Sequence, residues 1–154
     1  MSHAKKTYNL WLNSFKSKNR VSNPNTSNIE YFVNWDETLP DEHEFYKMTF
    51  SFFNVTTGQQ AIETLIVSAN FKDRTFVASN DGINTKLGFL TGVSLGLDNG
   101  MFVYRYVAYP LDNSPITICN PKGQDILKIT ISDIAGNLTS NFSEYSLHLC
   151  FEPV

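Results

Sequence analysis

Charge is scarce in this 154-residue chain: Asp, Glu, Lys and Arg together make up 18% of it, and the net charge is −3. So mild a balance excludes a strongly basic, nucleic-acid-binding domain as a whole-chain reading. Apolar runs are short, and none approaches the roughly 20 residues of a membrane-spanning helix. The opening MSHAKKTYNL lacks the apolar core of a signal peptide. Only two cysteines are present, Cys119 and Cys150, which cannot form a metal-ligand cluster. Each sits in an apolar strand pattern, so buried free thiols are expected. Whether the two pair is left open by sequence.

Histidine is equally sparse and scattered, at His3, His43 and His148. No HExxH or CxxC motif occurs, which argues against a zinc site. There is no GxSxG elbow, no GxxxxGK[ST] loop and no GxGxxG after a strand. The nearest glycine cluster, GFLTGVSLGLDNG, lacks the helix start and the lysine that phosphate cradling needs. The expectation is therefore no catalytic, cofactor-binding or metal-binding residue, and no enzyme.

Aromatic and apolar residues, in contrast, are plentiful. Hydrophobic residues make up 42% of the chain, with twelve Phe and seven Tyr. Such side chains fill pleated surfaces well, and the composition argues against disorder. The length suits one domain with a real core. That domain is expected over 1–154, with a flexible N-terminal start and an irregular, Ser- and Asn-rich loop around 15–28.

Period-two alternation marks strands with one face on a core. In EYSLHLCFEPV, Tyr145, Leu147, Leu149 and Phe151 share one face, with Ser146, His148, Cys150 and Glu152 opposite. In TYNLWLNS, Tyr8, Leu10 and Leu12 do the same. Further strands are expected at Ile29–Trp35, Glu44–Val55, within Ala61–Phe71, at TFVAS, and over Lys86–Leu95, where Gly88 and Gly92 suggest bulges or close backbone approach. Asn99-Gly100 signals a tight hairpin before MFVYRYVAYP. SPITICNPKG and ILKITISDIAGN supply the rest. Eight to ten short strands with no long helix predict an antiparallel sandwich or barrel. A single jelly roll of about eight strands fits best, since it lets both terminal strands sit inside the sheets. An immunoglobulin-like sandwich more often shows a Cys…Trp…Cys order, which is absent here.

The charges that exist are segregated. No acid precedes Glu30, while Lys5, Lys6, Lys16, Lys18 and Arg20 are basic. They form a candidate interface arm toward an acidic or phosphate-bearing partner. The stretch WDETLPDEHE, 35–44, carries five acids and no Lys or Arg. Asp36, Glu37, Asp41, Glu42 and Glu44 have oxygen ligands for calcium, but the spacing is not that of an EF-hand and Pro40 interrupts it. A solvated surface is the commoner fate of such runs. Carboxylate pairing for glycoside cleavage is not selected by any spacing. Tyr104, Tyr106 and Trp11 are candidates for stacking on sugars or bases, with core packing the commoner fate. The N-x-S/T sequons at Asn25, Asn54, Asn137 and Asn141 read as products of an Asn/Ser/Thr-rich composition.

The two ends together, TYNLWLNSFKSKN and ILKITISD…EYSLHLCFEPV, resemble small single-jelly-roll structural proteins of icosahedral double-stranded DNA viruses of the giant-virus and algal-virus kind. The shared features are an opening strand of the form T-Y-x-L-x-L-N-S and a final strand ending in F-E-P, and the layout between them is similar. The resemblance implies a capsid role, as a pentameric vertex protein (penton) or a minor capsid protein. It implies as partners copies of the chain itself, most simply in a pentamer, and a double-jelly-roll major capsid protein. It also implies a location in the virion, with no cofactor and no catalytic residue. The rival reading is a ligand-binding module on the same architecture, of carbohydrate-binding or trimeric receptor-ligand type. A small β-barrel enzyme is the remaining class, and the scattered histidines speak against it.

Overall fold

A computed structural model of the chain describes residues 6–14, 28–58, 64–71, 86–109, 115–137 and 144–154. It is almost entirely β. The strands are β1 (Tyr8–Asn13), β2 (Asn28–Asn34), β3 (Phe45–Gly58), β4 (Thr64–Ala69), β5 (Lys86–Asp98), β6 (Met101–Ala108), β7 (Ile116–Cys119), β8 (Gln124–Ser132) and β9 (Tyr145–Pro153). The one helix among the described residues, α1, is a single turn at Trp35–Thr38. Trp35 therefore opens α1 rather than closing β2, and Asn28 belongs to β2 rather than to the preceding loop. TFVAS lies outside the described residues, as does the start of Ala61–Phe71.

Every pairing is antiparallel, and the hydrogen-bonded path runs β1-β9-β3-β6-β5-β4-β8-β2, with β7 also on β3. The long strand β3 explains why nine strands make an eight-position fold. Its first part, Phe45–Met48, pairs with β7 and its last part, Phe52–Gly58, with β6. These two segments occupy successive stretches of one edge, like one interrupted strand. The path then resolves into two four-position sets, β1-β9-β3-β6/β7 and β5-β4-β8-β2, the order of a jelly roll.

The two sets close on a single core. Its side chains come from the inward parity of the strands: Leu10 and Leu12, Ile29, Tyr31 and Val33, Tyr46 to Phe52 at alternate positions, and Tyr145, Leu147, Leu149 and Phe151. Strand β9 sits between β1 and β3. Strand β9 is thus a central element of its sheet. Contacts between the layers include the Tyr31 and Tyr145 hydroxyls, 3.4 Å apart, and the edge-on packing of Trp35 against Phe151.

Strand β5 breaks the simple alternation. Between Val67 and Ser68 of β4 the register skips a residue, leaving Leu87 as the bulged position on β5. The bulge is why Leu87 and Leu90, of opposite parity, are both buried. Thr91 then pairs with Thr64 on one side and Val107 on the other, so β5 passes from one sheet to the other. A second bulge lies at Leu95, beside Gly96, whose φ of +102° suits glycine. Gly88 thus flanks a bulge as expected, while Gly92 does not.

Candidate interaction surface

The described residues form no group of three or more metal-ligating side chains. What stands out is the outward face of the β1-β9-β3-β6 sheet. Residues directly opposed on antiparallel strands share a face. One row across that face reads Trp11, His148, Ser51. The next reads Asn13, Ser146, Phe53, Val107, Thr91. A third reads Val55, Arg105, Val93. An outward sheet face is normally polar, yet Phe53 is 52% exposed and Val55 and Val93 are each 41% exposed. Arg105 is the exposed cation in their midst. The β3 parity that carries Lys47, Thr49 and Ser51 simply continues into Phe53 and Val55. Composition alone sends such residues to a core, so sequence reasoning missed this patch.

The β5–β6 hairpin extends beyond the patch. Asn99 and Gly100 take φ of +49° and +76°, as a two-residue type I′ turn requires. Near the tip the exposed Leu97 and Phe102 pair with each other and share the parity of Tyr104 and Tyr106, so they lie on the opposite side of the ribbon from Arg105. Isolated exposed apolar residues are ordinary, but a contiguous set marks a surface that meets something.

Trp11 is the most exposed aromatic of the sheet face. It stacks flat on His148, with ring centroids 3.8 Å apart and planes 12° from parallel. His148 Nε2 lies 2.8 Å from Asn9 Oδ1, and Nδ1 lies 3.4 Å from Ser51 Oγ. Partial burial lowers the His148 pKa below its ordinary 6.5, which favours the neutral ring. Of the aromatic candidates, Tyr104 and Tyr106 are buried, and burial, with Tyr104 adding to it, pushes Tyr106 up to about 12.

The acidic stretch sits at the opposite end of β3. It is tied to the β7–β8 turn. Asp36 Oδ1 accepts the Gly123 N–H at 2.8 Å, and the Gly123 carbonyl accepts the Trp35 N–H at 2.8 Å. The Asn120 side-chain amide donates to the carbonyl oxygens of Pro40 and His43. Lys122 Nζ lies 3.1 Å from Asp41, which raises the lysine pKa, first through that hydrogen bond. Tyr46 donates to the Pro40 carbonyl, and burial, then Tyr8 and the carboxylates of Glu42 and Asp41, raise its pKa. Two of the five acids are thus engaged in holding the loop, and no calcium-like convergence occurs among the described residues.

Two shallow grooves flank this end. One, of about 340 Å³, runs beside Phe71, Cys119 and Lys122. The other, of about 330 Å³, lies between β1, β2 and α1.

The remaining candidates divide as follows. Lys6 is exposed, while Lys5, Lys16, Lys18 and Arg20 lie outside the described residues. Cys119 and Cys150 are free thiols, and both are only partly buried, contrary to expectation. The reason is that Cys150 falls on the outward parity of β9, beside Asn9 and Thr49. Asn54 is 1% exposed and donates to the Glu144 carbonyl at 3.0 Å, which removes it as a glycan acceptor. No helix of the described residues is long and apolar enough to cross a membrane. The strand order defines a jelly-roll domain. Comparison with protein-family models and with curated proteins finds no match to the chain.

Proposed function

We propose that this chain is a non-catalytic structural subunit of an icosahedral double-stranded DNA virus capsid, acting as a vertex or minor protein in the virion. It assembles with copies of itself, most simply as a pentamer, and with a double-jelly-roll major capsid protein. The observation that carries this reading is the apolar outward face around Phe53, Val55, Val93, Val107 and Arg105. A sandwich that has already buried its own core has no use for such a face unless a neighbour covers it. Five-fold closure would use a head-to-tail contact of this kind.

The test is sedimentation or light scattering of the purified chain over a concentration series, alone and with a major capsid protein. A pentamer, or retention on capsid shells, is the expected result. A monomer that shells also leave unbound would remove the proposal.

A ligand-binding module is the second reading, favoured by the Trp11–His148 stack with Asn9 and Ser51 around it. An exposed indole flanked by polar side chains suits the apolar face of a sugar ring. Glycan-array binding that disappears in Trp11→Ala would establish it in place of the capsid reading.

A further inference from the structure

Strands β1 and β2 are the two ends of the strand path, so each is paired on one side only among the described residues. Neither has a second strand beside it among the described residues, which leaves each an edge to which a further strand can add. The groove of about 330 Å³ opens between these edges, at α1. Leu10, Val33 and Phe32 supply apolar wall, and Phe32 is 59% exposed. Glu37 and Asp125 supply carboxylates. Asn34 also lines the groove; its Oδ1 is buried without a hydrogen-bond donor, and its side chain does not cap α1. The wall is therefore rich in acceptors set against an aromatic face. That combination suits a lysine or arginine side chain, whose head carries only donors and whose stem is aliphatic.

The chain carries a matching segment. Residues 15–27 hold Lys16, Lys18 and Arg20 and no acid. In an extended strand these alternate positions share one face, with successive cations about 7 Å apart. The segment joins the ends of β1 and β2 remote from the groove, because β1 ends at Asn13 and β2 begins at Asn28. A run laid along the groove toward α1 thus comes most simply from another copy.

We infer that the β1–β2 groove is the docking site for the basic segment 15–27 of a second copy, added along an open edge with its cations on Glu37 and Asp125. This inference rests on the self-assembly reading above and names the contact that would join neighbouring subunits.

The experiment is a fluorescence-anisotropy titration of the full chain into a labelled peptide of residues 14–27. Saturable binding is expected, weakened at least tenfold in a Glu37→Gln/Asp125→Asn variant and by raising salt from 50 to 500 mM, values on the order of those that screen exposed charges. A peptide with Lys16, Lys18 and Arg20 replaced by Ser should not bind. Absence of saturable binding would overturn the inference, as would equal binding to the carboxylate variant. Equal displacement by spermine would reduce the groove to a small-cation site and overturn it too. Circular dichroism melts of the variant exclude unfolding as the cause of lost binding. Sedimentation of the full chain carrying the three Ser replacements separates the two ideas. Unchanged assembly overturns the groove contact and leaves the capsid proposal standing. A chain that binds the peptide through its carboxylates and self-associates, yet forms no pentamer and is left unbound by capsid shells, supports the groove and removes the capsid proposal.

Discussion

Trp11 and His148 face each other across β1 and β9 as a stacked pair, 3.8 Å between ring centroids. The stack holds a histidine whose pKa burial lowers from 6.5. The folded state then binds fewer protons than the unfolded state just below that value. Its stability is fully present above the unfolded value of 6.5 and is lost as pH falls through it toward the lower folded value. A proton-NMR titration should give a His148 midpoint below 6.5. Trp11→Ala should move it upward by admitting water to the ring. A midpoint at or above the free-histidine value would refute the stack as the source of the shift.

The closing strand should behave as core. Leu147 and Leu149 are fully buried, paired on both sides by β1 and β3. Truncation to Ala leaves a cavity and should cost about 2–5 kcal/mol. Chemical denaturation of Leu147→Ala measures this directly. A loss under about 1 kcal/mol, as at ordinary surface sites, would mean that β9 is peripheral.

The β7–β8 turn offers a sharper test of the acidic stretch. Gly123 has φ of +72°, its N–H is held by Asp36, and an added Cβ would meet nothing within 4 Å. Gly123→Ala therefore reports backbone strain alone, expected at about 1–2 kcal/mol. Asp36→Asn keeps the size but gives up the charge-assisted bond, for a loss on the order of 1 kcal/mol. Thermal melts with and without calcium check both. A calcium-dependent rise in melting temperature that Asp36→Asn abolishes would return this stretch to a metal role.

How far the sequence leads depends on whether the determinant is local. Alternation in Tyr145–Phe151 and the Asn99-Gly100 turn are local signals, and both strand and hairpin form where they fall. The bulge at Leu87 is set by the opposing strand, so the burial of both Leu87 and Leu90 is invisible to a fixed period of two. Trp35 alternates like a strand residue. It is drawn into a helical turn by the Gly123 carbonyl and by packing on Phe71 and Phe151, all distant in sequence. The acidic residues were visible, but the partners of Asp36 and Asp41 lie some eighty residues further on. The candidate face was the least legible. Phe53, Val93 and Val107 come from three strands, and only the register shows that their shared side faces outward.

That face yields the most discriminating substitution. Arg105 is exposed between Val55 and Val93, with Tyr104 and Tyr106 pointing the other way into the core. Reversing its charge disturbs no buried group, so Arg105→Glu should change folding stability by no more than about 0.5 kcal/mol. Its effect on association should be far larger. A partner surface complementary to one cation in an apolar field meets a carboxylate instead, and like charges brought together in an interface cost several kcal/mol. Phe53→Ser should weaken association without any charge term, through lost apolar contact. Analytical ultracentrifugation of both variants, paired with thermal melts, separates the contributions. If the face is a subunit contact, Arg105→Glu dissociates the assembly in low and high salt alike, because the repulsion is desolvated. Phe53→Ser shifts the midpoint of assembly to higher concentration. If both variants assemble as the parent chain does while melting at the same temperature, the outward face is not where the subunits meet.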